Sequence, residues 1–149
     1  MHSLFDREHV DHLVERIAKL TPDTKAKWGT MHVDQMLAHC QQPLKVALGE
    51  LKPRRTLLGS LIGPMAKAKL ASTKVWKKHL PTDKAFLIID RRKFTEEQRK
   101  LSELVRRFNA GGPEALSKTP HPFFGKLTIE EWDKLSCHHL DHHLRQFGV

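Results

Sequence analysis

The sequence predicts an all-α protein: a four-helix bundle with a long irregular middle connection. Three observations carry that expectation. Apolar residues recur at three- and four-residue spacing in four separate stretches, the period of one helix face. Those stretches are bounded by capping residues on one side and Gly or Pro on the other. The 149 residues suffice to bury a core without staples, and no repeat or low-complexity segment divides them, so residues 1–149 read as one helical-bundle domain.

The elements follow in order. Asp6 can cap a first helix whose stripe is Val10, Leu13, Val14 and Ile17, closed by Thr21-Pro22-Asp23. A second helix is expected from near Met31, with Val33, Met36, Leu37, Cys40 and Leu44 on its stripe. Pro43 should kink it or end its first half, because proline removes a helical hydrogen bond. Residues 57–71 are apolar and rich in small side chains, and read as a helix interrupted by Gly63-Pro64. Within 72–94, the run Ala85-Phe86-Leu87-Ile88-Ile89 is either a short extended segment or a buried loop under the bundle.

The last two helices have the clearest starts. Thr95-Glu96-Glu97-Gln98 has a capping-box pattern, followed by Leu101, Leu104, Val105 and Phe108 and stopped by Gly111-Gly112-Pro113. Thr128-Ile129-Glu130-Glu131 repeats the pattern, and Gly148 suits the exit from the final helix. Between them, Thr119-Pro120-His121-Pro122-Phe123-Phe124-Gly125 is a stiff aromatic loop.

Composition narrows the function classes. No apolar run approaches the roughly 20 residues that span a bilayer, and Met1-His2-Ser3-Leu4-Phe5-Asp6 lacks a secretory pattern. Cys40 and Cys137 are too few for a disulfide framework in a chain this long, so a reducing cytoplasm is expected. The net charge is +9, and its distribution is uneven. Residues 52–107 hold 16 Lys and Arg against 5 Asp and Glu, while the flanks together are slightly acidic. Such a patch is either a solvated surface or a face for phosphate, a carboxylated cofactor or an acidic partner. Lys67, Lys69, Lys74, Lys77, Arg91 and Arg92 are the cations expected to line an approach to a site. Aromatic interleaving there is sparse (Trp76, Phe86, Phe94), which disfavours nucleic acid.

The most informative run is His138-His139-Leu140-Asp141-His142-His143-Leu144-Arg145-Gln146. Its four imidazoles form two i, i+4 pairs, and neutral imidazole is the commonest side-chain ligand for zinc and similar metals. Helical phase, advancing about 100° per residue from Ile129, separates the pairs. The apolar arc of Ile129, Trp132, Leu135, Leu140, Leu144 and Phe147 centres at about 340°, with His139 at about 280° and His143 at about 320°. His138 and His142, at about 180° and about 220°, fall at or beyond its edge. The inward pair is therefore His139 and His143. Gln146, at about 260°, sits beside them as an orienting group for a ligand.

A catalytic metal needs a third protein ligand and an exchangeable position. The second helix offers His39 and Cys40 in adjacent positions. Counted from Val33, Cys40 falls at about 340°, inside the stripe, and His39 at about 240°, on its flank. Phase leaves both open and leans to Cys40. His32, His79 and His121 are weaker candidates, and His2, His9 and His12 are expected to be solvated.

Trp28-Gly29-Thr30-Met31-His32-Val33-Asp34-Gln35-Met36-Leu37-Ala38-His39 resembles the second-helix signature of the DinB/YfiT-like metalloprotein superfamily. His139-Leu140-Asp141-His142-His143-Leu144-Arg145-Gln146 resembles its last-helix signature. The segment from His121 through Trp132, with Arg145-Gln146-Phe147-Gly148, is similar to a branch of unassigned function. The resemblance covers nearly the whole chain. It implies a single DinB/YfiT-like bundle with His39, His139 and His143 around one divalent metal, zinc or nickel foremost, and Gln146 behind them. One departure is His143-Leu144-Arg145-Gln146, where the commoner ending is His-Arg-Gly-Gln.

The resemblance further implies a metal-dependent transferase that activates a low-molecular-weight thiol towards an electrophile. A metal-dependent hydrolase is the alternative, and a non-enzymatic binding or stress protein with a metal clamp is the third reading. The expected partners are a small-molecule substrate or an anionic thiol cofactor, with no membrane; a homodimer stays open.

Overall fold

The computed structural model describes residues 3–55, 57–72, 75–79 and 84–149, without the side chains at 58, 69–72 and 85. Among these it is all-helical, with α1 (Arg7–Ala18), α2 (Val33–Ala47), α3 (Leu57–Ser72), α4 (Phe94–Gly111) and α5 (Ile129–Gln146). Two short 3-10 turns, Lys84–Phe86 and Pro113–Ala115, interrupt the connections. α1, α2, α4 and α5 form the bundle; α2 packs mainly on α4 and also on α5, and α3 lies against α5. No described helix is long and apolar enough to cross a membrane.

Local chemistry explains most of the boundaries. Asp6 caps α1 by accepting the Glu8 N–H, and Val10, Leu13 and Ile17 face the core. Thr128 and Glu131 close a reciprocal box at the start of α5, each accepting the other's backbone N–H at 3.1 and 2.9 Å. The expected box at Thr95 does not form. α4 begins at Phe94, and Glu97 is drawn inward instead, where it accepts from Gln41 Nε2 at 2.6 Å and pairs with Lys100. A buried carboxylate with two donors outweighs one cap on the surface.

Pro43 and Pro64 both lie inside continuous helices, so Pro43 does not end α2 and Gly63-Pro64 does not interrupt α3. α2 continues through Pro43 to Ala47, and α3 through Gly63-Pro64 to Ser72. Gly63 is there for space, since a Cβ would stand 1.9 Å from the Phe123 carbonyl oxygen where α3 meets the loop before α5. Along α3, Leu57, Leu61 and Met65 are exposed at four-residue spacing. Of the 85–89 run, Phe86 joins the core, while Leu87 and Ile89 face outward.

The segment after the Lys84–Phe86 turn is strapped onto α2. Gln35 Nε2 donates to the Ile89 carbonyl at 2.6 Å. Asp34, buried at the helix start, accepts from Arg91 at 3.0 Å and from the Arg92 N–H at 2.6 Å. The bundle ends are tied in the same way. The Leu4 N–H donates to Asp133 on α5, and Arg16 of α1 reaches Asp141 and the Val149 carbonyl.

Candidate metal centre

With Trp132, Leu135, Leu140 and Leu144 buried in the bundle, α5 turns His139 and His143 towards α2, their ring centroids 4.6 Å apart. His39, in the middle of α2, meets both, at 4.9 and 4.7 Å between centroids. One nitrogen from each of the three rings lies within 4.8 Å of the others. His39 Nε2 and His139 Nε2 are 3.0 Å apart. Two imidazoles on one tetrahedral zinc would sit about 3.3–3.4 Å apart at metal–nitrogen distances of about 2.0–2.1 Å. That pair is thus close to ligand spacing. His39 and His143 are buried, and His139 is half-buried, so the set is not sealed on that side.

Two rings have their orientation fixed from behind. His39 Nδ1 lies 2.8 Å from the Phe86 carbonyl. A carbonyl only accepts, so Nδ1 carries the hydrogen and Nε2 keeps a lone pair facing His139. His143 Nδ1 lies 2.8 Å from Gln146 Oε1, while Gln146 Nε2 donates to the Trp28 carbonyl at 2.7 Å. The Trp28 carbonyl thereby sets the way the Gln146 amide points, and that amide in turn leaves the His143 Nε2 lone pair facing inward. Gly29 makes room for this relay: its φ is +80°, and a Cβ there would stand 2.7 Å from Gln146 Nε2.

The electrostatics keep the rings neutral. Burial lowers the His39 pKa, partly opposed by its bond to Phe86. Burial, then the nearby His143 and His39, holds His139 well below the usual range. His143 is lowered to about 3 by burial and His39, against the opposing bond to Gln146. Neutral imidazole is the form that binds metal. Two oriented lone pairs and a third ring nitrogen, gathered in a half-closed cluster of neutral imidazoles, fit a divalent cation.

The other candidates fall elsewhere. The thiol of Cys40 donates to Met36 Sδ at 3.6 Å in the core, and burial pushes its pKa up. Cys137 is pushed up to about 12, first by burial and then by Asp133 and Asp141, with Sγ 3.3 Å from His9 Nε2. That contact also corrects the expectation that His9 is solvated. His32 precedes α2, its N–H donating to Gln35, and His79 is exposed with φ +59°. His121 is buried, and its Nδ1 accepts the Phe123 and Phe124 N–H groups at 3.1 and 3.2 Å. His138 and His142 are half-buried and outside the three-ring set, with His142 bordering it.

The cations expected around the site are mostly engaged. Lys67 pairs with Glu131, Arg91 with Asp34 and Arg92 with Asp90, while Lys77 is exposed. Lys74 and the Lys69 side chain lie outside the described residues. A different set frames a cleft of about 360 Å³ next to the cluster: Lys27, Lys78 and Arg145, with Trp28, Trp76 and His142 among its walls. Trp76 and His142 belong to both places. The Trp76 ring is 6.0 Å from His139, and the His142 ring is 5.1 Å from His143. Sequence reasoning missed Trp76 and the two carbonyls at Phe86 and Trp28. A backbone acceptor leaves no trace in side-chain chemistry.

Residues 3–148 match the family described as "Protein of unknown function (DUF1569)", and the chain belongs to that family. No curated protein matches it, and no solved structure does.

Proposed function

We propose that His39, His139 and His143 hold one divalent metal, zinc or nickel foremost, and that the protein uses it to activate a low-molecular-weight thiol for transfer to an electrophilic small molecule. The observation that carries the reading is the three-imidazole cluster with two rings oriented from behind. Three protein ligands leave a coordination position open. The resemblance to DinB/YfiT-like proteins supplies the reaction class. A metal bound by neutral imidazoles keeps its charge and lowers the pKa of a thiol beside it.

The chain's own residues define what must come from outside. Cys40 and Cys137 are both buried with raised pKa values, so neither serves as the nucleophile. The Phe86 carbonyl and Gln146 hold His39 and His143 in their ligand tautomers.

Elemental analysis of untagged protein should find one metal per chain. The loaded protein should consume a model electrophile only when a small thiol is added. Cys40→Ser with Cys137→Ser should leave that activity in place. Turnover of esters or amides without thiol would move the assignment to a hydrolase. Inactivity across a broad panel, with chelation only lowering the Tm, would make the metal structural.

A further inference from the structure

Among the described residues, the cleft beside the histidine cluster is lined by three cationic side chains and no acidic one. Lys78 Nζ lies 4.8 Å over the Trp28 ring, so this cation is held at the aromatic wall. Arg145 stands 3.9 Å from Asp141, a long contact, while Asp141 already receives Arg16 at 2.8 Å. Lys27 lies along Gly148, where a Cβ would touch its Cε at 2.7 Å. The contrast is with Lys67, Arg91, Arg92 and Arg106, each of which has a carboxylate within close reach. Like charges around one concavity repel each other, and an anion seated among them offsets that repulsion. The volume is that of a small-molecule cleft.

We propose that this cleft binds a small-molecule anion, a carboxylate or phosphate on an apolar or aromatic body, with Lys78, Arg145 and Lys27 meeting the charge and Trp28 and Trp76 the body. Lys78 comes from the basic middle segment, while Lys27 and Arg145 come from the two flanks, and the fold gathers them. Trp76 and His142, shared with the histidine cluster, set the direction in which a bound molecule would be presented. Only that last point rests on the metal reading. Binding in the cleft does not need the metal.

The test uses 3-phenylpropanoate and phenyl phosphate as anionic probes and uncharged 3-phenylpropanamide as the control. Trp28 and Trp76 give the signal, since the third tryptophan, Trp132, is buried in the core. Both anions should bind and perturb tryptophan fluorescence, with affinity falling as salt rises. The amide should bind at least about tenfold more weakly, and Lys78→Ala or Arg145→Ala should each weaken the anions by about tenfold without changing the amide. Trp76→Ala should weaken all three. A preference for one anion identifies the headgroup chemistry. Equal binding of the amide, or unchanged anion binding in the Lys78→Ala, Arg145→Ala double variant, overturns the proposal. So does loss of anion binding on adding a chelator alone, which would place the anion on the metal. Anion binding that persists in metal-stripped protein supports the cleft; a protein that binds the anions and never takes up a metal defeats the metal reading alone.

Discussion

Two histidines of this protein are buried almost equally and connected in opposite ways. His39 on α2 is 3% exposed and His121, in the loop before α5, is 5% exposed. His121 turns Nδ1 to two backbone N–H groups of its own loop, bridges to Gly125 through its backbone, and stacks on Phe124 and Trp132. His39 turns one nitrogen to the Phe86 carbonyl and the other to His139. The first ring satisfies donors that the fold must place somewhere. The second meets other imidazoles on its inner side. Burial of a histidine therefore says nothing about metal by itself; the partner of each nitrogen does.

The largest effect that could break this contrast is on metal content. His39→Ala, His139→Ala or His143→Ala should lower bound metal from one per chain to below about a tenth, measured by elemental analysis, because two remaining imidazoles make a poor site. His121→Ala should keep the metal. It should instead lose about 2–4 kcal/mol of stability, from two orphaned N–H groups and the vacated ring volume, read as a drop in Tm or in the denaturant midpoint. A His121→Ala chain that folds as well as the parent and has lost its metal would reverse the two assignments.

Smaller effects sharpen the distinction between a ligand and its support. Gln146→Ala should weaken metal binding by about 10- to 100-fold without abolishing it, the usual cost of losing the partner behind a histidine ligand. Metal competition titration reads this directly. Asp34→Asn tests the strap that carries Phe86 to His39. Burial opposes ionisation of Asp34, but bonds from Arg91 and Arg92 and the Arg91 charge outweigh it and hold its pKa below the ordinary value. Because the native pKa is depressed, the stabilisation is present above about pH 3.9 and is lost as pH falls through the native value. The variant should cost about 1–2 kcal/mol at neutral pH and show a shallower acid loss below about pH 4 in denaturant titrations. Smallest of all, His138→Ala should leave metal content unchanged.

The sequence was most readable where one face of a helix is buried. On α5 the helical phase separated His139 and His143 from His138 and His142, and the rings of the first pair are the ones that meet His39. On α2 the same reasoning leaned to Cys40. Every residue from Val33 to Gln41 is buried, because α4 and α5 pack on α2 and the 86–92 strap is bonded along it. A helix covered all round has no single inward arc, so phase cannot rank its neighbours; only the motif resemblance pointed to His39. Helices continue through Pro43 and Pro64 for a related reason, since tertiary contacts hold helices that local propensity would end. The basic segment was legible as a charge excess and not as a site. Several of its cations find carboxylates within reach, while the open cleft draws on residues far apart in the chain.

That distance has a consequence in time. His39 and His139 stand 100 residues apart, yet their Nε2 atoms are 3.0 Å from each other. Closing so long a loop is among the costlier steps of folding, and it comes after helices have formed from local contacts. A cation held by all three rings would meet its full ligand set only once the bundle is almost assembled. Interactions absent from the transition state slow unfolding and leave the folding rate nearly untouched. Adding metal to the chain should then lengthen the lifetime of each folded molecule without hastening the birth of new ones.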